Sequence, residues 1–368
     1  MSGTGISIAL WLLIIVVATF WHELGHYWAA RAQGVGVKSF SIGMGPILVR
    51  WRSGGTEWRL SALPIGGYVE IDGMAPTVSE RGELRAPTTG YAGLGAPGKI
   101  AILLAGPLFN WILAIALLAG NYAAQGVVTP LNDRARVASV APNSEAQRLG
   151  LREGDVIVAI NGRDIPESYT VDGQPRPGFR QVQDALALDG PKTFTVERDG
   201  RRREVSFNWQ ARENGERRLL GIGYGEDRKV EQVAVPAAIA AAARTSVAVI
   251  PQAVGAFAGL FQRMLTLDLQ GNGEVVGPIG TVGIVGQAAQ AGVWTVVGIM
   301  ALINLSLALF NLLPIPGLDG GRIFLVLVQA LLRRPLTFQQ ENFINLTGFA
   351  LVMLLMLFVV FSDVARFF

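Results

Sequence analysis

One stretch constrains this chain more than any other. Residues 6–21 form an almost unbroken apolar run, and the run ends in His22-Glu23-Leu24-Gly25-His26. In lipid, a lone segment of this kind satisfies its backbone polar groups only as a helix. Residues four apart lie on one helix face, one above the other. His22 and His26 can therefore grip one metal ion, and Glu23 stands close enough to activate a water on it. These are the only two histidines in 368 residues. Ionisable groups inside a membrane-length segment are costly and point to function. Two ordinary core histidines of a soluble protein would leave unexplained why three polar groups interrupt a lipid-compatible helix.

The rest of the chain fits a membrane protein with one soluble part. Hydrophobic residues make up 51% and charged residues 16%, with a mean hydropathy of +0.39. The absence of cysteine excludes disulfides and thiolate metal sites. A net charge of +3 speaks for membrane orientation and against nucleic-acid binding. Four spans are expected, at about 6–30, 100–124, 294–313 and 343–361. The first reads as a span and not as a cleaved signal peptide, because no basic segment precedes it and no small-residue cleavage site interrupts it. A rise of about 1.5 Å per residue puts His22 some 25 Å along it, near the far side of the hydrocarbon core.

Between the first two spans, residues 37–69 carry β-type pieces and recurrent glycines. Gly54-Gly55 has the form of a hairpin turn, and Gly66-Gly67 follows. This region is expected to form a membrane-associated sheet whose edge could hold an extended substrate segment. Residues 75–98 read as a mobile connector. In the second span, Pro107 must loosen the helix and Asn110 brings an amide into the bilayer. Small residues beside it suggest close contact with the first helix.

Residues 127–231 read as a soluble mixed α/β domain, with strands near 135–140, 155–160, 193–198 and 204–207 and a short helix near 144–149. The phrase Leu149-Gly150-Leu151-Arg152-Glu153-Gly154-Asp155-Val156-Ile157, followed by Asn161-Gly162, resembles a PDZ domain of the permuted bacterial type. Such domains bind peptides, often C-termini, by strand addition. The segment from 166 to 179 is a proline- and glycine-rich insertion that could cover part of the groove. Residues 232–293 read as an amphipathic connector on the membrane.

The third span ends in Asn311-Leu312-Leu313-Pro314-Ile315-Pro316-Gly317-Leu318-Asp319-Gly320-Gly321. A turn of this kind can aim Asp319 back at a neighbouring helix. With no other histidine and no cysteine, the third metal ligand must be Asp, Glu or something weaker. The charges give a check independent of motifs. Eight Lys/Arg lie between Arg31 and Lys99, and Arg322, Arg333 and Arg334 follow the third span. The positive-inside rule makes both loops cytoplasmic and leaves both termini and the soluble domain outside. His22, His26 and Asp319 then fall in one leaflet.

Taken in order, these motifs resemble the site-2 protease family, intramembrane zinc metalloproteases, of the bacterial type. The residues concerned are His22 to His26, Ala105-Gly106-Pro107 with Asn110, the PDZ-like domain, Gly277-Pro278-Ile279-Gly280, and Asn311 to Gly320. The resemblance implies a four-helix membrane core in two halves, residues 1–125 and 294–368, with the sheet clamping an unwound substrate. It implies Zn2+ held by His22, His26 and Asp319, with Glu23 as general base, and substrate contacts from Asn311, Gly66, Gly67 and Asn110. It also implies single-span membrane substrates trimmed beforehand on the outside, such as anti-sigma factors and remnant signal peptides, in the bacterial inner membrane. Better-known members carry two PDZ domains, and this chain has room for one. Where members often have histidine after Asp-Gly-Gly, this chain has Arg322. A non-catalytic PDZ-bearing membrane adaptor and a metal transporter are the alternatives. An intact Glu23 beside the metal pair speaks against both.

Overall fold

The structure, a computed structural model, describes residues 3–75, 77–78, 84–165, 168–171, 174–177, 180–213, 216–268, 276–333 and 336–365. The chain divides into two compact units, Met1–Gln125 with Val233–Phe368, and Gly126–Gln232.

The first unit opens with helix α1 (Gly3–Ala32). Gly34 ends it, at φ +73°, where its N–H meets Arg31 O at 3.0 Å and Val35 N meets Ala30 O at 3.0 Å. Strands β1 (Val37–Ser53) and β2 (Thr56–Ile71) follow, joined by Gly54 and Gly55, both at positive φ as a tight hairpin turn needs. Both strands bend at glycines, β1 at Gly43 and Gly45 and β2 at Gly66. Residues 39–42 are consequently flanked on both sides, by 57–60 and by 67–70. Phe40 fastens this curled sheet to α1. Its ring meets Phe20 at 5.7 Å, Tyr27 at 6.0 Å and Trp58 at 4.7 Å. The far part of the sheet shows apolar side chains outward, including Met44, Ile47, Leu48, Val49 and Trp51. The expected connector at 75–98 contains a short 77–78/84–85 ladder and one helical turn, Gly90–Gly93. Its residues 76 and 79–83 lie outside the described ones.

Helix α2 (Ala96–Gln125) lies antiparallel against α1. Gln33 Nε2 donates to Gly98 O at 3.1 Å. At Gly25 a Cβ would collide with the carbonyl of Ala105, so only glycine lets the two backbones approach this closely.

The second unit holds β3 (Val127–Val140), α3 (Glu145–Arg148), β4 (Val156–Ile160), α4 (Arg180–Ala185), β5 (Gly190–Arg198), β6 (Arg201–Trp209) and β7 (Ile222–Glu231). The sheet runs β6-β5-β4-β3-β7, with residues 163–164 beside β4. Ser144 caps α3 by accepting from Gln147 N. Val137, Ile157, Val182, Phe194, Val196 and Trp209 fill one core. Of the insertion expected at 166–179, residues 168–171 and 174–177 form a hairpin, and the rest lie outside the described residues.

The chain returns to the first unit with α5 (Val235–Ala248), α6 (Ile250–Thr266), α7 (Pro278–Ala291), α8 (Val293–Asn311), α9 (Asp319–Leu332) and α10 (Phe338–Ala365). Against the four expected spans there is a fifth candidate, by length and composition. Five stretches of described helix are long and apolar enough to cross a membrane, and the extra one is Val235–Thr266. The region read as an amphipathic connector is therefore three helices. Its first helix is rich in alanine. In the structure the alanines make α5 narrow enough to seat Ala238 and Ala242 in the interior, with Ala242 packed among Leu118, Ala119 and Ala301. Asn121 Nδ2 donates to Trp294 O at 2.5 Å, so α8 starts where α2 ends. Whatever crossing Val235–Thr266 makes is thus undone before α8, and α8 runs in the same sense as α1.

Candidate metal centre

Three side chains from distant parts of the sequence converge. His22 Nε2 lies 3.2 Å from His26 Nε2, His22 Nε2 lies 3.2 Å from Asp319 Oδ2, and His26 Nε2 lies 3.3 Å from the same oxygen. Donors about 2.05 Å from zinc in a tetrahedron stand about 3.3 Å apart, so these three atoms have the spacing of one tetrahedral face. It is the only such His/Asp/Glu group among the described residues. Asp319 Oδ2 is buried and receives no hydrogen bond. A buried carboxylate oxygen left with unshared pairs, facing two ring nitrogens, fits a cation.

The ring tautomers agree with that reading. His26 Nδ1 lies 2.8 Å from Ile102 O, and a carbonyl can only accept, so Nδ1 carries the proton and Nε2 keeps its lone pair. Near His22 Nδ1, at 3.4 Å, is the Asn110 amide, whose own oxygen finds no other partner. With the amide turned so that this oxygen faces Nδ1, the orphan gains a donor and His22 also presents a lone pair at Nε2. Asn110 is fully buried. In this structure its amide faces a ligand ring.

Glycine keeps the space between the donors open. A Cβ on Gly106 would collide with His26 Nε2 and come within 2.9 Å of His22 Nε2. On the opposite wall, Gly67 lies so that a Cβ would meet Ser41 O at 2.8 Å and Glu23 Cγ at 3.6 Å. Val69 offers its backbone N–H to the Glu23 carboxylate, and Glu23 is within electrostatic reach of His22, His26 and Asp319. Gly66, at φ +76°, makes the bend that brings β2 to Glu23. The structure thus brings together His22, Glu23, His26, Asp319 and the Gly66–Gly67 backbone.

Asn311 is placed otherwise. Its Nδ2 donates to Leu307 O at 3.0 Å within its own helix. Asp319 also sits differently from the expected turn, since it is the first residue of α9, after Leu318 as N-cap. Sequence reading missed Ile102 and Gly106 as neighbours of the cluster. The signal was present in Ala105-Gly106-Pro107, a place where helix backbone is thin and one amide hydrogen is missing.

The chain matches Peptidase family M50 over residues 9–355. It is 34% identical to a Campylobacter jejuni protein named "Putative zinc metalloprotease Cj1068", over 96% of this chain and 92% of that one. A similarly named Clostridium perfringens protein is 32% identical over 93% and 94%. "Probable protease eep" of Enterococcus faecalis is 27% identical over 98% and 99%. With a donor set that suits zinc and relatives bearing these names, the chain is a multi-pass membrane metalloprotease with zinc as its metal, and it belongs to peptidase family M50, the site-2 proteases.

Proposed function

We propose that the protein is an intramembrane endopeptidase. It cuts a peptide bond within or near the spanning segment of single-span membrane proteins, as regulated intramembrane proteolysis requires. Anti-sigma factors already trimmed outside, and remnant signal peptides, are the substrate classes. The observation that carries this reading is the donor triangle, two of whose corners, His22 and His26, lie on α1, a helix long and apolar enough to span.

His22, His26 and Asp319 hold the metal. When bound, zinc supplies a Lewis acid and lowers the pKa of a coordinated water to about 7. Glu23 takes a proton from the attacking water and delivers it to the leaving amine. A peptide bond in a helix is shielded by its neighbours, so the substrate must unwind before it is cut. The β2 backbone at Gly66–Val69 lies beside Glu23 and is suited to align an extended segment there. The basic residues after α1 and after α8 support, by the positive-inside rule, a bacterial inner-membrane protein with those loops in the cytoplasm and both termini and the second unit on the periplasmic side.

The second unit is read as a PDZ domain. Strand β7 is at the edge of its sheet, next to a cavity of about 250 Å3 lined by Gln183, Leu186, Leu220 and Ile222. A trimmed substrate C-terminus could add there as a further strand.

The test is cleavage of a single-span substrate by purified protein in detergent, with Glu23→Gln and a chelated sample alongside. Mass spectrometry maps the bond. Cutting by the native protein alone, inside the span, is expected. Equal cutting by both proteins, or a bond mapped to a soluble tail, would overturn the reading.

A further inference from the structure

Where α2 begins, a cavity of about 330 Å3 has Tyr91, Lys99, Arg322, Arg333, Glu341 and Asn345 in its lining. Three of these are cations and one is an acid. The acid is engaged already, since Gln329 Nε2 donates to Glu341 Oε1 at 2.7 Å and Gln329 Oε1 accepts from Leu336 N at 3.0 Å. Among the described residues no carboxylate lies within salt-bridge reach of Lys99, Arg322 or Arg333. Arg322 spends one N–H on the Met74 thioether at 3.5 Å, a weak acceptor. Lys99 sits over the Tyr91 ring, 5.8 Å from its centroid. Burial pushes the Tyr91 phenol up to about 12, so it stays a neutral donor. Asn345 Oδ1 is buried and receives no hydrogen bond.

Three cations around one cavity repel each other, and an anion between them relieves this. The surroundings say what kind of anion. Helix α2 has 30 residues, about 45 Å of helix for about 30 Å of hydrocarbon, so its first turn and Lys99 stand at headgroup level. Next to the cavity, α9 and α10 present apolar side chains outward, with Leu331 83% and Phe343 71% exposed and Leu332 and Leu346 close behind. A cationic hollow beside an apolar ledge matches an amphiphile with an anionic head.

We propose that this cavity binds the phosphate of an anionic phospholipid. The phosphate sits among Lys99, Arg322 and Arg333, a headgroup hydroxyl donates to Asn345 Oδ1, and the acyl chains lie along Leu331, Leu332, Phe343 and Leu346. The site is independent of the proteolytic reading and stands or falls without it.

The test uses the full-length protein in a neutral detergent. Phosphatidylglycerol or phosphatidylcholine is titrated in, and native mass spectrometry counts the lipids retained. Three neutralising cations should favour phosphatidylglycerol by at least about tenfold. The variant Lys99→Gln/Arg322→Gln/Arg333→Gln should retain both lipids alike, and Arg333→Gln alone should lose part of the preference. Equal retention of the two lipids by the unchanged protein overturns the proposal, whatever the variants do, and so does a preference that survives the triple substitution. Displacement by millimolar inorganic phosphate would assign the cavity to free phosphate and overturn the lipid source. Displacement by a short acidic peptide, with phosphate inert, would assign it to a protein segment and overturn the proposal as well.

Discussion

Each unit holds a carboxylate with a buried oxygen among basic groups, and the two are treated in opposite ways. Asp155, in the second unit, is fully buried and fully served. Arg198 donates to it from Nε at 2.6 Å and from its terminal nitrogen at 2.8 Å, and Arg152 N donates at 2.9 Å. Asp319, in the first unit, has an oxygen that receives no hydrogen bond, although two ring nitrogens lie within 3.3 Å of it. Those nitrogens have their other ring positions directed at Ile102 O and the Asn110 amide. Burial alone therefore does not mark a functional acid. A carboxylate whose neighbours complete it is architecture, whereas one whose neighbours direct lone pairs at it is a site for a cation.

The largest effect should come from Glu23, which adjoins the triangle without belonging to it. Glu23→Gln is expected to lower single-turnover cleavage about 10²- to 10⁴-fold while zinc content, read by metal analysis, stays at the native level. Loss of zinc together with activity would put Glu23 among the ligands and blur the distinction between completed and waiting acids.

Asp155→Asn tests the other side. It strands Arg198, and removing one partner of a buried pair costs about 3 kcal/mol here, the low end of the usual range because Arg198 is partly exposed. Hydrogen exchange in β4 and β5 should speed up accordingly, with zinc content unchanged. The pH dependence follows from the same contacts. Burial pushes the Asp155 carboxyl up, but the Arg198 hydrogen bonds, the Arg152 N–H and the nearby charges hold it below the ordinary carboxylate value. Its stabilisation is therefore present above the unfolded pKa, near 3.9, and is lost as pH falls through the lower folded value. Protection in β4 that ignores acidification in this window would contradict the assignment.

Asn110 separates support from ligation. Asn110→Leu removes the acceptor behind His22 and is expected to weaken zinc affinity about 10- to 100-fold, as measured by chelator competition. Asn110→Asp keeps an oxygen towards Nδ1 and should hold the metal far better than the leucine variant. Equal affinity in both would mean that His22 takes its orientation from packing alone.

Much of this was legible in the sequence because short-range rules decide it. His22 and His26 share a face by helix period, Gly54-Gly55 turns a hairpin, and small residues at 105–106 announce a close helix crossing. Where the sequence misled, longer-range packing decided. The stretch around Asp319 read as a turn, yet Gly320 and Gly321 lie in the first turn of α9, where a Cβ would collide with the carbonyls of Leu312 and Ile315. The return of the chain, and with it the position of Asp319, rests on that bare backbone. The alanines of α5 carry little apolar signal singly, and only contact with α2 and α8 makes them core. Asn110 was legible as a polar intruder in a span, but nothing local tells that it faces His22.

The smallest expected effect concerns a third buried acid, Asp363, near the end of α10. Its Oδ1 accepts from Gly277 N at 3.0 Å and its Oδ2 from Gly280 N at 2.9 Å. These are the N-cap and third residue of α7, so a side chain of another helix caps it. This gives Gly277-Pro278-Ile279-Gly280 a physical meaning. Pro278 has no N–H to be left unpaired, and a Cβ on Gly277 would come within 2.6 Å of Asp363 Oδ2. Asp363 thus belongs with Asp155, as a carboxylate completed by its neighbours. Asp363→Ala should cost about 1 kcal/mol, seen as faster hydrogen exchange in the first turn of α7, with cleavage and zinc content at native levels. Asp363→Asn, which keeps one acceptor oxygen, should fall between the two. Zinc loss on either substitution would mean that this acid acts on the metal centre after all, and that complete hydrogen bonding does not separate architectural acids from functional ones.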